Sequence, residues 1–222
     1  MERIWLKSYP PGVPAEIDVN QYGSLVELFE KSIRAYGDRP AFTCMGKTIT
    51  FSELDTMARH FGAWLQSKGL AKGARVAIMM PNCLQYPVAM FGTLRAGCVV
   101  VNTNPLYTAR ELEHQVNDAG AEVIVILENF AHVLEQVRPR TPLKHIVITS
   151  LGEMLGLKGL LVNLVVRKVK KMVPPYDLPG AVGFKEVINS GQQKTLATGM
   201  HGILSRRQRK QPSGRANRDW RT

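Results

Sequence analysis

The sequence lacks several features that define common classes of protein. Its three cysteines, Cys44, Cys83 and Cys98, contain no Cys-x-x-Cys pair and cannot all pair with one another, so we expect reduced thiols and no metal site. No stretch approaches the roughly 18 unbroken apolar residues of a membrane-spanning helix. The amino terminus has no apolar run long enough for a signal peptide. These absences favour a cytoplasmic protein.

Motifs for well-known kinds of catalysis are also missing. The sequence contains no GxxxxGK[ST] phosphate loop, no strand-coupled GxGxxG, no GxSxG nucleophile elbow and no HExxH. The five histidines are scattered: His60, His114, His132, His145 and His201. Glu111 and Glu113 could be taken for an acidic pair, but Thr108 and Glu111 match a capping box and Glu113 falls on another helix face. We therefore assign no catalytic, cofactor-binding or metal-binding residue.

Positive charge is concentrated at the carboxyl end of the chain. The formal net charge is +11, from 29 Lys and Arg against 18 Asp and Glu. Residues 192–222 hold eight of the basic residues and one acidic residue, and therefore most of the excess. A basic arm that binds nucleic acid is one interpretation. Trp220 is the only aromatic residue there, which weakens the segment as a reader of single strands.

The amino-terminal part of the sequence predicts a helix, a β-hairpin and a second helix. Ser24 and Glu27 match a capping box, and Gly37 would end the first helix in the left-handed conformation. The apolar face predicted for this helix carries Leu25, Leu28, Phe29, Ile33 and Tyr36. The hairpin turns at Gly46, and Ser52 is expected to cap the second helix. The buried face of that helix carries Leu54, Ala58, Phe61 and Leu65.

Four short apolar runs predict the strands of a parallel sheet. They are RVAIMM (75–80), CVVVN (98–102), EVIVIL (122–127) and HIVIT (145–149), and segments with helical periodicity separate them. Strands that are apolar throughout are buried on both faces, so the sheet is parallel and covered by helices. We predict a doubly wound α/β unit over roughly residues 40–150.

The turn after the second strand of this sheet, NTNPLYT, is a candidate ligand site. Proline cannot donate to a strand ladder and biases Asn104 to an extended conformation, so the strand ends abruptly. Ligands of open α/β sheets bind at the carboxyl ends of the strands. A rigid turn that positions the next helix is the alternative, and it is the interpretation that we favour.

Residues 155–175 predict a basic amphipathic helix. Its apolar face carries Leu157, Leu160, Leu161, Leu164, Val165, Val169 and Met172, and the opposite face carries Asn163, Arg167 and Lys170. Such a helix can lie on an anionic membrane surface, which Lys168, Lys170 and Lys171 would contact. The alternative is an ordinary surface helix that packs on the sheet and leaves its lysines solvated. Both interpretations remain open at this point.

The sequence resembles a known enzyme family. The similarity is to the amino-terminal part of the AMP-forming acyl-CoA synthetases and lies in VAIMMPNCLQYPVAMFGTLRAGCVVVNTNPLYTARELEHQVNDAGAEVIVI, above all in MMPN, RAG and NPLYT. Two further stretches resemble the bacterial long-chain fatty acid–CoA ligases, IWLKSYPPGVP and GLLVNLVVRKVKKMVPPYDLP. In that subgroup the second stretch precedes a membrane-associated catalytic region. The resemblance runs from about Trp5 to Ser190.

The resemblance implies a reaction and a set of site segments. The family activates a fatty acid with ATP and Mg²⁺ to an acyl-adenylate, releases pyrophosphate and transfers the acyl group to coenzyme A. It uses a Ser/Thr/Gly-rich loop ending in Lys, an aromatic-Gly-x-Thr-Glu segment, an Asp on the ribose and a Lys in a small carboxy-terminal domain. None of these can be placed on this sequence. We expect residues 1–191 to be a partial amino-terminal domain in the cytoplasm, with no productive binding of ATP, Mg²⁺ or CoA; contact with the inner face of the membrane is the open alternative for residues 155–175.

Residues 192–222 carry none of the family pattern. The phosphate loop should follow about residue 200, where RRQRKQPSGR stands instead. If Arg206 and Arg207 are encoded by CGGCGG, a shifted frame gives Gly-Gly, the start of the missing loop. We expect a disordered tail from a frameshifted or prematurely ended reading frame. The alternatives to a ligase fragment are an α/β binding module that uses this tail on nucleic acid, and a peripheral membrane protein.

Overall fold

The structure, a computed structural model, describes residues 3–18 and 21–199. The helices are α1 (Leu25–Tyr36), α2 (Phe51–Ser67), α3 (Gln85–Arg95), α4 (Ala109–Ala119), α5 (Ala131–Val137), α6 (Leu157–Leu164) and α7 (Phe184–Gln192). The strands are β1 (Pro40–Cys44), β2 (Lys47–Thr50), β3 (Arg75–Met79), β4 (Val99–Asn102), β5 (Ala121–Leu127), β6 (His145–Thr149) and β7 (Val182–Gly183). Strands β1 and β2 form the hairpin, and the other five form one sheet.

The five-stranded sheet is parallel and doubly wound, as predicted. Its order is β4-β3-β5-β6-β7, and each pairing is parallel. The chain therefore starts in the interior at β3, moves outwards to β4, and returns past β3 to build β5, β6 and β7. This reversal places the topological switch point between β3 and β5. The four predicted strands agree with β3–β6 to within one residue at each end.

Both faces of the sheet are buried, and each face has its own core. Val76 and Ile78 of β3 belong to a cluster that includes side chains of α1, α2, α3 and α7. The alternate residues, Ala77 and Met79, belong to a second cluster with side chains of α4 and α5. All four are at most 1% exposed. Two-sided burial is the reason that the strands read as continuous apolar runs.

The junction between α1 and α2 corrects two predictions. Thr50, not Ser52, caps α2: its hydroxyl accepts from the Glu53 amide, and the Glu53 carboxylate accepts from the Thr50 amide. Gly37 is right-handed, with φ −40°, so it is not a left-handed stop. Its carbonyl accepts from the Ser52 amide at 2.9 Å, and a Cβ at Gly37 would lie 2.8 Å from Ser52 Oγ. Glycine therefore allows α2 to approach the end of α1.

The prediction of which residues are buried is correct for α2 and partly wrong for α1. The four predicted residues of α2 are fully buried: Leu54, Ala58, Phe61 and Leu65. In α1 the buried residues are Val26 and Phe29, whereas Leu25 and Tyr36 are exposed. Phe29 stacks on Phe91 of α3 with 3.8 Å between ring centroids, and this contact sets the rotation of the helix.

Helix α6 is shorter than the predicted segment 155–175. It begins at Leu157, and a π-helical turn, Val165–Val169, follows it directly. Within the parts of the chain that the structure describes, no helix is long and apolar enough to cross a membrane.

The chain beyond α7 returns to α2. The side-chain amide of Gln66 donates to the Ala197 carbonyl at 3.1 Å and accepts from the Ala197 amide at 2.8 Å. Leu196 lies against Gly62 of the same helix. The predicted boundary between residues 191 and 192 stays a prediction, and residues 200–222, with their arginines, lie outside the described part of the chain.

We predict that Gly191→Ala destabilises the protein. Alanine is favoured over glycine within a helix by about 1 kcal/mol. A Cβ at Gly191 of α7, however, would overlap the backbone carbonyl of His60 on α2. Overpacking costs about 1–3 kcal/mol, so we expect a net loss in the free energy of unfolding by urea. Asn189→Ala, at an exposed position of the same helix, is the control and should be neutral or stabilising; a stabilised Gly191→Ala would contradict the close α2–α7 contact.

Candidate functional site

A cavity of about 770 Å³ lies at the carboxyl ends of β5, β6 and β7. Each strand contributes to its lining at the point where it ends, through Glu128 after β5, Ser150 after β6 and Gly183 of β7. Leu160 and Asn163 of α6 line it from the other side. Open α/β sheets bind ligands at this edge, so we call this space the carboxyl-edge cavity and treat it as the candidate site.

A buried ion pair stands at one side of the cavity. The guanidinium of Arg167 donates from Nε and Nη2 to the two carboxylate oxygens of Glu128, at 3.0 and 2.7 Å. The Glu128 side chain is 5% exposed and that of Arg167 49%. The hydrogen bonds that Arg167 donates to Glu128 raise the pKa of Arg167. Burial, and then the charge of Glu128, raises the pKa of the Tyr176 phenol. At neutral pH the Arg167 guanidinium is therefore charged and the Tyr176 phenol is protonated.

A second carboxylate holds the loop that follows β6. Glu153 accepts from the Thr149 hydroxyl at 2.6 Å and from the Lys185 backbone amide, in the first turn of α7, at 3.0 Å. The buried Gln85 of α3 donates to Thr149 Oγ1 at 3.1 Å and to the Ser150 carbonyl at 2.9 Å. The polar groups at this end of β6 are thus fixed by partners on three separate elements.

Helix α6 attaches to the protein through its polar side. Asn163 accepts from the Gly152 amide at 2.8 Å and donates to Ser150 Oγ at 2.9 Å. Gly159 is in close contact with Gly152, where a Cβ would overlap the backbone. Arg167 adds its ion pair one turn further on. The polar face predicted for this segment therefore faces inwards at Asn163 and Arg167.

The apolar side of the same segment faces solvent. We call it the outward apolar face, and it consists of Leu157, Leu160, Leu161, Leu164, Val169 and Met172. These side chains are between 55% and 88% exposed. Val162 of the same helix is partly buried and packs against the core, so contact with a membrane and an ordinary surface helix both stay predictions. Lys168, Lys170 and Lys171 are exposed beside this face, as predicted.

The NTNPLYT turn is held by hydrogen bonds of its own and leads directly into α4. Asn104 Oδ1 accepts from the Leu106 amide at 3.0 Å, and the Asn104 carbonyl accepts from the Tyr107 amide at 3.2 Å. Thr108 then caps α4. These contacts position the start of the helix.

The two carboxylates of α4 have structural partners. Glu111 accepts from the amide and the hydroxyl of Thr108, and these hydrogen bonds lower the pKa of Glu111. Glu113 binds both Nε and Nη2 of Arg140, and these hydrogen bonds lower the pKa of Glu113. Neither carboxylate lines the carboxyl-edge cavity. The predicted capping box of Thr108 and Glu111 is confirmed.

Among the described residues, the cysteines and histidines do not gather into a metal site. No group of three potential metal ligands occurs within residues 3–18 and 21–199. Burial raises the pKa of both Cys83 and Cys98 to about 11, so neither is a reactive thiolate at neutral pH. Burial, and then the charges of Lys68 and Lys144, lowers the pKa of His145. His201 lies outside the described residues.

Sequence reasoning missed the residues of the carboxyl-edge cavity. Glu128 and Ser150 each follow a buried strand directly, and a polar residue at that point is a usable signal. The partners Gln85 and Arg167 come from distant parts of the chain, and no local pattern indicates which polar residues they meet.

The chain is similar in sequence to proteins named long-chain-fatty-acid–CoA ligases. A family model described as AMP-binding enzyme matches residues 29–176. A long-chain-fatty-acid–CoA ligase of Yersinia pestis is 54% identical over 195 residues, which cover 87% of this chain and 35% of that protein. One of Escherichia coli O157:H7 is 53% identical over 193 residues, covering 86% and 34%. The chain spans about a third of the length of these relatives.

Solved structures share the fold at low sequence identity. An anthranilate–CoA ligase in complex with anthranoyl-AMP has a TM-score of 0.61 and 19% identity, over 78% of this chain and 29% of that one. A long-chain-fatty-acid–CoA ligase from Archaeoglobus fulgidus has a TM-score of 0.58 and 18% identity, over 79% and 32%. At these identities the likeness shows the fold alone.

We predict that Arg167→Gln destabilises the protein by leaving the Glu128 carboxylate buried without its cation. Removing one partner of a fully buried pair costs about 3–5 kcal/mol. Because Arg167 is half exposed, we expect a smaller loss, about 1–2 kcal/mol in urea unfolding. The double variant Glu128→Gln, Arg167→Gln should recover most of it. Lys168→Gln is the control and should change nothing; equal stability of Arg167→Gln and Lys168→Gln would contradict the role of the pair.

Proposed function

The chain belongs to the family of AMP-binding enzymes, and on that premise we propose that it forms the amino-terminal part of a long-chain fatty acid–CoA ligase. Such a ligase converts fatty acid, ATP and coenzyme A into acyl-CoA, AMP and pyrophosphate. The observation that carries the proposal is the 54% identity to the Yersinia pestis ligase along 87% of this chain. Residues 1–191 would supply the family domain, and residues 192–222 lie outside its pattern.

The residues at the carboxyl-edge cavity do not fit a nucleoside triphosphate with Mg²⁺. Transfer of a phosphoryl or nucleotidyl group needs fixed cations and donors around the phosphates. Here the guanidinium of Arg167 is committed to Glu128, and Glu153 adds another negative charge. Lys185 is the one cavity-lining cation without an ion pair among the described residues. We therefore derive no chemical step from this chain alone, and assign it the role of a scaffold within the ligase.

We predict that the 222-residue chain alone releases no pyrophosphate from ATP, Mg²⁺ and palmitate, with or without coenzyme A. A hybrid should be active in which residues 1–191 replace the aligned part of the Escherichia coli O157:H7 ligase. The reason is that the scaffold comes from this chain and the phosphate-binding groups come from the rest of the ligase. The measurements are pyrophosphate release and formation of palmitoyl-CoA.

Two controls accompany the hybrid ligase. The parent ligase sets the full rate, and the parent without its aligned part sets the background. A folded, inactive hybrid would contradict the proposed role of this chain. Turnover by the 222-residue chain alone, dependent on fatty acid, would show that a complete active site lies within it.

The outward apolar face supports a second role, contact with a membrane. We propose that α6 lies on an anionic membrane surface, which for a cytoplasmic ligase is the inner face. A surface helix that attaches through its polar side and exposes its leucines offers an apolar surface to a partner. The exposed cations Lys168, Lys170 and Lys171 are placed to meet lipid phosphates.

We predict weak, reversible binding to phosphatidylglycerol vesicles. Changing Lys168, Lys170 and Lys171 to Gln should reduce binding strongly, because each cation near an anionic surface contributes about 1 kcal/mol. Leu160→Ser should also reduce it, whereas Leu106→Ser, at an equally exposed leucine elsewhere, should not. Sedimentation with vesicles measures this. Equal sedimentation of the wild type and the triple variant would exclude the proposed contact.

The nucleic-acid alternative finds no support among the relatives described above. Its arginines, from Arg206 onwards, fall outside the described residues. The described residues carry 22 Lys and Arg against 16 Asp and Glu, a smaller positive excess than that of the whole chain.

A further inference from the structure

Strand β4 leaves one edge of the parallel sheet open. The sheet order is β4-β3-β5-β6-β7, so β4 pairs with β3 and with no other strand that the structure describes. Val99, Val100 and Val101 are only partly buried and Asn102 is exposed, whereas four of the five residues of β3 are buried. We call the unpaired side of Val99–Asn102 the β4 edge.

The parallel ladder determines which backbone groups the β4 edge presents. The amide of Val99 donates to the Ala74 carbonyl at 2.8 Å, and the amide of Thr103 donates to the Ile78 carbonyl at 3.0 Å. The odd-numbered residues of the strand therefore direct their amides and carbonyls towards β3, because successive residues of a strand alternate in direction. The even-numbered residue Val100 directs both of its backbone groups outwards.

The outward groups of the β4 edge are partly open and partly engaged. The open groups are the Cys98 carbonyl, the amide and carbonyl of Val100 and the Asn102 amide, which have no hydrogen-bond partner within residues 3–18 and 21–199. The Asn102 carbonyl accepts from the side chain of Gln115 at 3.0 Å. The Cys98 amide donates to the Thr93 carbonyl at 3.1 Å. Only the open groups are left for a further strand.

We propose that two copies of this chain form a dimer in which their β4 edges pair antiparallel about a two-fold axis at Val100. In this register each Val100 exchanges both hydrogen bonds with its counterpart, and each Asn102 amide donates to the Cys98 carbonyl of the other copy. The Asn102 carbonyl and the Cys98 amide, which face each other at the ends of the contact, already have partners within each chain. The pairing therefore satisfies every open group of the edge.

The side chains of the edge favour a second copy over a charged partner strand. Residues 96–109 contain no Asp, Glu, Lys or Arg, although proteins commonly protect an open edge with a charged side chain. A copy brings the same uncharged segment, so that no charge is removed from water. Val99 lies directly opposite Val101 of the other copy, and such β-branched pairs stabilise antiparallel strands.

The contact closes on itself as a dimer. A two-fold pairing uses the same strand of both copies, and the opposite edge of the sheet, β7, is only two residues long. The contact of two short strands buries little surface, so we expect a dissociation constant on the order of 10–100 μM. The pairing needs neither ATP nor the rest of a ligase, and the proposal is therefore independent of the ligase assignment.

The first test is sedimentation velocity of the purified 222-residue chain over a range of concentrations. We expect monomer and dimer in a reversible equilibrium, with no larger species. Val99→Lys with Val101→Lys should weaken the dimer at least about tenfold, because the substitutions place like charges directly opposite each other. Leu160→Lys with Val169→Lys adds the same charge to the outward apolar face and should dimerise as the wild type does.

The second test is specific to the register. In a Cys44→Ser background, which removes the partly exposed thiol, Val99→Cys is mixed with Val101→Cys and oxidised by glutathione disulfide. These positions oppose each other at about 4.5 Å between Cα atoms, within the range of a disulfide. The mixture should give cross-linked dimers with one chain of each kind. Either variant alone should give far fewer, because its two cysteines lie about 7–8 Å apart.

A wild type that stays monomeric well above this dissociation constant would overturn the proposal. Dimers that persist in the edge variant and disappear in the outward-face variant would overturn it as well, as would equal cross-linking of the mixture and of the single variants. Thermal melts check that the edge variant is folded; if it is not, the cross-linking result decides the question alone.

Discussion

The need to bury both faces of a parallel sheet determines how the rest of the molecule is arranged. Each crossover returns a helix to one face or the other, and the reversal between β3 and β5 directs α4 and α5 to one face and α2, α3 and α7 to the other. The side chains in the middle of the strands therefore pack against helices. Polar groups collect where the strands end, and that edge holds Glu128, Thr149 and Ser150.

The same constraint explains the unusual attachment of α6. The segment after β6 meets an edge that already presents polar groups, so a helix that docks there gains more by offering Asn163 and Arg167 than by offering leucines. A buried carboxylate such as Glu128 needs a cation, and Arg167 supplies it at the cost of turning the apolar side outwards. The outward apolar face is thus a consequence of how the sheet edge satisfies its charges.

The parts of the structure that depend on local pattern could be predicted, and those that depend on distant partners could not. The strands were correct to within one residue because continuous β-branched runs leave few alternatives. For α1, spacing gave a helix but not its rotation, which depends on the stacking of Phe29 on Phe91 of α3. Gly37 has the residue type of a left-handed stop, yet the close approach of Ser52 is what requires it. For α6, amphipathicity showed two faces without showing which one turns inwards, because Glu128 lies 39 residues from Arg167.

The close contact between Gly152 and Gly159 has a consequence for how this surface can evolve. It fixes the backbone of α6 at a distance that no larger residue permits, while the side chains of the outward apolar face are between 55% and 88% exposed. Selection can therefore exchange the outward residues one by one without disturbing the fold, so that the inner side keeps its geometry while the outer side adapts. Helix α6 thus keeps its packing contacts on one side, while the residues on its other side can vary.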